Sequence, residues 1–222
     1  MARKLVIVGG VAAGATAAAR ARRLDEEAEI TIVEKGPYVS FANCGLPYRI
    51  SGDIGKRSAL LLQSPEGFLS RYRVKVLLRT EAVGIDRPGK RLRLRGPEGE
   101  TELGYDALIL AQGGSPIVPP IEGADSPNVF RLWTVPDMDA IEAYLKEKAP
   151  TSALVVGGGF IGLEVAEAFV KRGLATTVVE LADHVVPPAD REFGALAQAA
   201  YEEAGARVLT GRAVKSVDPA AG

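Results

Sequence analysis

The sequence predicts an α/β protein of two doubly wound parallel-sheet domains, and three observations carry that expectation. First, an apolar run, a glycine cluster and an alanine-rich or amphipathic helix occur in succession twice. The copies are Lys4-Leu-Val-Ile-Val-Gly-Gly-Val-Ala-Ala-Gly14 and Ala153-Leu-Val-Val-Gly-Gly-Gly-Phe-Ile-Gly162. Second, each copy continues into another strand-like run closed by an acid, Ile30-Thr-Ile-Val-Glu34 and Thr176-Thr-Val-Val-Glu180. Third, glycine and acid keep nearly the same interval, from 14 to 34 and from 162 to 180. Two such βαβ units are the opening of two Rossmann-like nucleotide-binding domains.

The remaining elements follow in order. A loop and short helix occupy residues 40–50, and a helix runs from Pro65 to Arg71. A strand lies near Val74–Leu78, followed by a basic, exposed hairpin of 90–95 and 101–105 and a buried strand over 106–111. Pro116, Pro119 and Pro120 bar helix and central strand from 113–123, which is read as the start of the passage between domains. A helix over 136–148 opens the second domain. After Glu180 come a helix near 190–204, a strand at 207–210 and a strand-like run at 213–217. The expected division is 1–113 for the first domain and 114–222 for the second.

The chain has 222 residues, 47% of them hydrophobic and 25% charged, the balance of a globular protein. Twenty-seven basic residues against 28 acidic ones give a net charge of −1, so no broad basic field exists to hold nucleic acid or an anionic membrane. The longest apolar runs fall far short of the ~20 residues of a membrane span, and no signal-peptide pattern opens the chain. The single Cys44 cannot form an internal disulfide, and a reducing cytoplasm is the expected compartment. No metal-ligand spacing is present.

In each unit the first glycine allows a tight turn, the second lets backbone approach a pyrophosphate, and the third lets helix and strand pack closely. The helix N-terminus then offers free N–H groups to phosphates. Gly157, Gly159 and Gly162 meet all three needs. In the first loop Gly9 and Gly14 fit, while Val11, beside Gly10, takes the middle place. Glu34 and Glu180 are expected to accept hydrogen bonds from adenosine ribose hydroxyls. The charge on Glu180 favours NADH over NADPH, because no arginine follows within three residues to meet a 2′-phosphate.

Cys44 lies in Ser40-Phe-Ala-Asn-Cys-Gly-Leu-Pro-Tyr48, a loop that Gly45 and Pro47 turn into a helix start. A thiol there is placed for thiolate chemistry, although a lone cysteine is more often buried and structural. Two dinucleotide sites beside one thiol imply a flavin as mediator between hydride and sulfur chemistry. That assigns FAD to the first site and NADH to the second. With one cysteine the oxidised state is a mixed disulfide, a persulfide or a sulfenic acid.

These residues, with Gly-Gly-Val-Ala-Ala-Gly14, resemble the single-cysteine branch of the pyridine nucleotide-disulfide oxidoreductases: coenzyme A disulfide reductases, NADH oxidases and persulfide reductases. The resemblance runs from Lys4 to about Val217. It implies that Cys44 is the nucleophile and that Ser40 and Asn43 contact coenzyme A near sulfur. Thr16 and Arg23 are implied to meet its phosphate and nucleotide part, with Arg20 and Arg22 beside them. The first glycine loop (Gly9, Gly10, Val11, Ala12, Ala13, Gly14), Glu34, Lys35, the backbone of Val83, and Ala111 and Gly113 are implied on FAD. Gln112 stands where the branch has threonine. On the NADH side stand Gly157, Gly159, Phe160, Ile161, Gly162, Glu164 and Glu180. A plain core valine at 83, an exposed helical acid at 164 and an exposed loop residue at His184 remain the simpler readings of those positions.

The branch's chains are about twice as long. They return to complete the FAD domain and add a dimerisation domain, so the parent enzyme is expected to be a homodimer and this chain its N-terminal half, with apolar surface left open. The expected reaction passes electrons from NADH through FAD and Cys44 to coenzyme A disulfide or a related persulfide. Oxygen reduction through a Cys44 sulfenic acid and a redox-inert nucleotide-binding fragment are the alternatives.

Overall fold

The computed structural model describes residues 2–218. In chain order the elements are β1 (Lys4–Val8), α1 (Ala13–Leu24), β2 (Glu29–Val33), α2 (Leu46–Ser51), α3 (Pro65–Tyr72), β3 (Val74–Leu77), β4 (Glu81–Asp86), β5 (Arg91–Gly96), β6 (Gly99–Gly104), β7 (Ala107–Leu110), α4 (Val135–Lys148), β8 (Ser152–Val156), α5 (Phe160–Lys171), β9 (Ala175–Val179), α6 (Arg191–Glu203) and β10 (Arg207–Leu209). Two compact units result. Unit 1 contains Met1–Ala42 and Ser58–Ser115; unit 2 contains Asn43–Arg57 and Pro116–Gly222.

Unit 1 is a parallel sheet in the order β3-β2-β1-β7. Alternate residues of one strand serve opposite faces. Ile7, Ile30, Ile32 and Val74 meet Ala15 and Ala18 of α1 and Phe68 of α3 on one side. Val6 and Val33 meet Leu92 and Leu94 of β5 on the other. The small side chains of α1 let its backbone close on the sheet. The second layer is the antiparallel sheet β4-β5-β6, and its first strand, β4, was not foreseen. Strand β7 is an edge strand with Leu110 56% exposed, so the expected burial of residues 106–111 is incomplete.

Arg22 is a structural staple of this unit. Its Nε donates to the Tyr72 carbonyl at 2.7 Å. The remaining guanidinium hydrogens go to the carbonyls of Asp25 (3.1 Å), Glu26 (2.5 Å), Ala28 (2.7 Å) and Arg73 (3.0 Å). These bonds tie the C-terminus of α1 to the start of β2 and to the link between α3 and β3. Arg22→Met keeps the stem but leaves these carbonyls unpaired, and it is expected to lower stability by about 2–3 kcal/mol. An unchanged urea midpoint would refute that role.

Unit 2 carries the parallel sheet β10-β9-β8. Val155, Val178 and Val208 pack against Leu163, Val165 and Ala166 of α5. On the opposite face Leu154 and Val156 are 53% and 52% exposed. The strand-like run at 213–217 forms no strand. It is held by a single bridge, with the Val217 N–H on the Glu122 carbonyl at 2.7 Å. Residues 113–123 are irregular, as their prolines require.

The segment 43–57 was expected in the first domain and groups with the second. Leu46, Pro47 and Ile50 of α2 are buried, and α2 packs on α4 and α5. Charge reinforces the packing. Glu142 of α4 meets Arg49 at 3.2 Å and Arg172 at 3.6 Å, Lys171 meets Asp53 at 3.0 Å, and Arg57 binds Asp139 through two 2.6 Å contacts.

Candidate active site

The two glycine loops are built alike, bond for bond. The N–H groups of Gly9 and Gly157 donate to Val33 and Val179, each at 2.8 Å. Gly9 (φ +93°) and Gly157 (φ +105°) adopt a conformation that disfavours any side chain. A Cβ on Gly14 would lie 1.8 Å from the Gly9 carbonyl oxygen, and one on Gly162 2.0 Å from that of Gly157.

The terminal acids lock these loops. Glu34 accepts the N–H of Gly10 at 2.8 Å and of Gly36 at 2.6 Å. Glu180, 8% exposed, accepts those of Gly158 at 2.6 Å and Ala182 at 2.7 Å. Each carboxylate thus spends one acceptor site per oxygen on its own loop and keeps lone pairs for a further donor. Six residues beyond each acid the backbone turns left-handed. Ser40 (φ +49°) and Val186 (φ +53°) each donate their N–H at 2.8 Å, to Gly10 and Gly158 respectively. The sequence signals neither residue by type; only the equal spacing from the acids could have revealed the pair.

The helices behind these loops are bare at their N-termini. Neither α1 (N-cap Ala12) nor α5 (N-cap Gly159) has a side-chain cap or an acid in its first turn. By contrast Ser64 caps α3, and a Thr134–Asp137 capping box closes α4. Uncapped N–H groups at a helix start are an anion site in waiting. Gly157 and Gly159 face open space where a Cβ would stand, so the second loop has room for a phosphate. Both loops therefore fit a dinucleotide.

Other unit 1 residues lie around the first loop. A Cβ on Gly9 would meet the Ala111 oxygen at 2.2 Å and the Gln112 Cα at 2.8 Å, so 111–112 closes on the turn. Gly113 is left-handed at φ +68°. The β4–β5 register jumps from Ala82 to Gly84 and skips Val83, which is 36% exposed. A bulge residue leaves its backbone groups outside the ladder, and the exposure of its side chain excludes a core valine. Lys35 is exposed, with a loose 3.8 Å contact to Glu81. Thr16, Arg20 and Arg23 fall at i, i+4 and i+7 of α1 and are all exposed on one face. Among the described residues neither Arg20 nor Arg23 has a carboxylate partner.

In unit 2 the thiol of Cys44 is exposed, on a 3₁₀ turn over Asn43–Gly45. It is not a buried structural cysteine. Glu164 of α5 is half-buried and shares a narrow crevice with Tyr48 of α2, Glu167 and Lys171. The structure thus brings the expected nicotinamide acid against the cysteine segment. Tyr201 titrates above its ordinary range because it is partly buried and then because Glu167 and Glu164 stand near it. His184, expected exposed, is half-buried and engaged at both ring nitrogens. Among the described residues no cluster of histidine, cysteine or acid could hold a metal ion, and no helix is long and apolar enough to cross a membrane.

The family model described as Pyridine nucleotide-disulphide oxidoreductase matches residues 3–222. An NADH oxidase of Methanocaldococcus jannaschii is 32% identical over 96% of this chain and 48% of its own length. A coenzyme A disulfide reductase of Staphylococcus haemolyticus is 37% identical over 86% of this chain and 43% of its own. The crystal structure of reduced Bacillus anthracis CoADR-RHD superposes with a TM-score of 0.95 at 42% identity, covering 98% of this chain and 40% of the other. The chain spans less than half the length of these relatives.

Proposed function

Because the chain belongs to the pyridine nucleotide-disulphide oxidoreductases, we propose that it carries the cofactor loops and the redox thiol of an NADH-dependent flavoprotein that reduces coenzyme A disulfide or a related persulfide. The duplicated loop carries this reading: two acid-locked glycine turns, each opening an uncapped helix, in a chain whose one thiol is exposed. When bound, FAD supplies a two-electron relay between pyridine nucleotide and sulfur.

The first-turn amides of α1 and α5 hold the FAD and NADH pyrophosphates, and the spare lone pairs of Glu34 and Glu180 accept ribose hydroxyls. The Val83 backbone and the 111–113 turn flank the first site, with Lys35 at its edge; Phe160, Ile161 and Glu164 flank the second. A 2′-phosphate would stand against the Glu180 carboxylate with no basic residue over 181–183, which favours NADH. The Cys44 thiolate attacks one sulfur of the substrate disulfide, the S–S bond breaks, and the departing thiolate takes a proton. With two electrons, which bound pyridine nucleotide and flavin would supply, and one proton, the mixed disulfide would open to regenerate the Cys44 thiolate and release the second thiol. In unit 2 Asn43 would steady the substrate near sulfur; unit 1 by itself offers Ser40 and the exposed Thr16–Arg20–Arg23 face, a cationic stripe suited to phosphates. A lone cysteine with no partner for an internal disulfide supports a reducing cytoplasm as the compartment, and the family resemblance supports a homodimeric parent enzyme.

The name of the Methanocaldococcus relative supports one rival, oxygen reduction through a Cys44 sulfenic acid. Stopped-flow mixing of the FAD-loaded chain with NADH, then with coenzyme A disulfide or oxygen, separates the two. Faster reoxidation by the disulfide is expected. Faster reoxidation by oxygen favours the rival, and a chain that takes up no yellow flavin and leaves NADH unconsumed is a redox-inert nucleotide-binding module.

A further inference from the structure

We propose that His184 is a positioning residue for the second glycine loop: its doubly protonated ring clamps residues 183–189 over Gly158 and so sets the affinity of unit 2 for a dinucleotide. The affinity part rests on the reading of unit 2 as an NADH site. Nδ1 lies 2.6 Å from the Asp183 carboxylate and Nε2 lies 3.2 Å from the Ala189 carbonyl. Both partners only accept, so two ring N–H groups are needed, and only the imidazolium has two. A neutral ring keeps its proton on Nδ1, against the carboxylate, and turns the Nε2 lone pair toward the Ala189 oxygen.

The clamp closes a loop that reaches the glycine turn directly. The Ala189 N–H donates to Val186 at 2.8 Å, and the Val186 N–H donates to Gly158 at 2.8 Å. Val185 is fully buried, and its Cγ1 would be 2.9 Å from a Cβ on Gly158. Val186 is a β-branched residue at φ +53°, a conformation that persists only where its surroundings enforce it. Releasing Ala189 removes part of that enforcement one turn from Gly158, whose own N–H is held by Glu180.

The charges facing the ring are few. Asp183 on the same loop favours the cation. Arg191 of α6, itself bonded to Asp183, and the positive N-terminal end of α6 oppose it. The ring edge rests on Gly194 of α6, where a Cβ would lie 2.6 Å from Cδ2. The hydrogen bonds to Asp183 and then Ala189 prevail and raise His184 above the ordinary histidine range. The clamp is therefore complete at low pH and is lost as pH rises through the folded-state value.

Two measurements on the 222-residue chain test this. Fluorescence titration with NADH from about pH 6 to about pH 8.5 is expected to show affinity falling by roughly 2- to 10-fold in the wild type. In His184→Gln the slope disappears, because the amide donates to Ala189 at every pH. Equal slopes in the two proteins, or none in either, overturn the proposal. Hydrogen exchange at the Val186 amide, corrected for its intrinsic pH dependence, reads the clamp without ligand. Protection that declines with pH only in the wild type supports it, and identical protection refutes it. Failure of NADH to bind at any pH would overturn the reading of unit 2, while exchange at Val186 would still decide the clamp.

Discussion

Gly14→Ala and Gly162→Ala are each expected to collapse the unit that carries them, while Gly159→Ala leaves the fold intact and weakens only nucleotide binding. The distinction comes from what a single methyl group would meet. At 14 and 162 it would sit 1.8 and 2.0 Å from the carbonyl oxygen of the first glycine in the same loop. Backbone on both sides, held by the Glu34 and Glu180 locks, cannot yield as a flexible side chain would. The cost is expected at or above the upper end of the about 1–3 kcal/mol typical of overpacking, a large part of the stability of a small domain. Gly159 has open space and an extended backbone (φ −78°, ψ −177°) that alanine adopts readily. A methyl there fills the space in front of the bare start of α5, where a pyrophosphate would rest. Urea denaturation should show the two collapsed variants against a wild-type-like Gly159→Ala. NADH titration of Gly159→Ala should show an affinity loss of about tenfold, equivalent to ~1.4 kcal/mol. Wild-type stability of Gly14→Ala would overturn the packing account, and undiminished NADH binding by Gly159→Ala would remove the pyrophosphate from that loop.

How far this architecture was legible depended on whether its cause was local. The strands β1, β2, β8 and β9 and their acids were readable because a buried parallel strand needs a continuous apolar run and the loop after it needs glycine. The Pro-rich passage after residue 113 was readable because proline forbids regular structure. By contrast β4 is largely exposed and carries no apolar run, and the bulge at Val83 beside Gly84 leaves no alternation to read. The grouping of 43–57 with unit 2 depends on α2 packing on α4 and α5 and on Glu142 meeting Arg49, partners remote in sequence with no periodicity to announce them. Arg22 and Arg23 are indistinguishable as letters. One faces main-chain carbonyls and the other solvent because successive residues of a helix point about 100° apart. His184 read as an exposed loop residue because the partner that closes its clamp, the Ala189 carbonyl, is main chain and has no side-chain signature.

Cys44→Ser is expected to abolish disulfide reduction by the FAD-loaded chain while leaving NADH able to reduce the flavin. The loss should be on the order of 10³-fold or more, the scale seen when a covalent nucleophile is removed. The substitution is nearly isosteric at an exposed position, so the 3₁₀ turn over 43–45 and the ion pairs fixing α2 to α4 and α5 should stand unchanged. What disappears is the sulfur that must hold one half of the substrate. The reaction proposed for the chain, balanced, consumes NADH, a proton and one disulfide and yields NAD⁺ and two thiols. A serine hydroxyl can neither attack a disulfide nor form the mixed disulfide through which the second thiol is freed. Two absorbance traces separate the steps: bleaching of the flavin by NADH under nitrogen, and its recovery on adding coenzyme A disulfide. The first should survive in Cys44→Ser and the second should vanish. Recovery at the wild-type rate would show that electrons reach the disulfide without Cys44. Loss of bleaching itself would place the thiol in the pyridine nucleotide step.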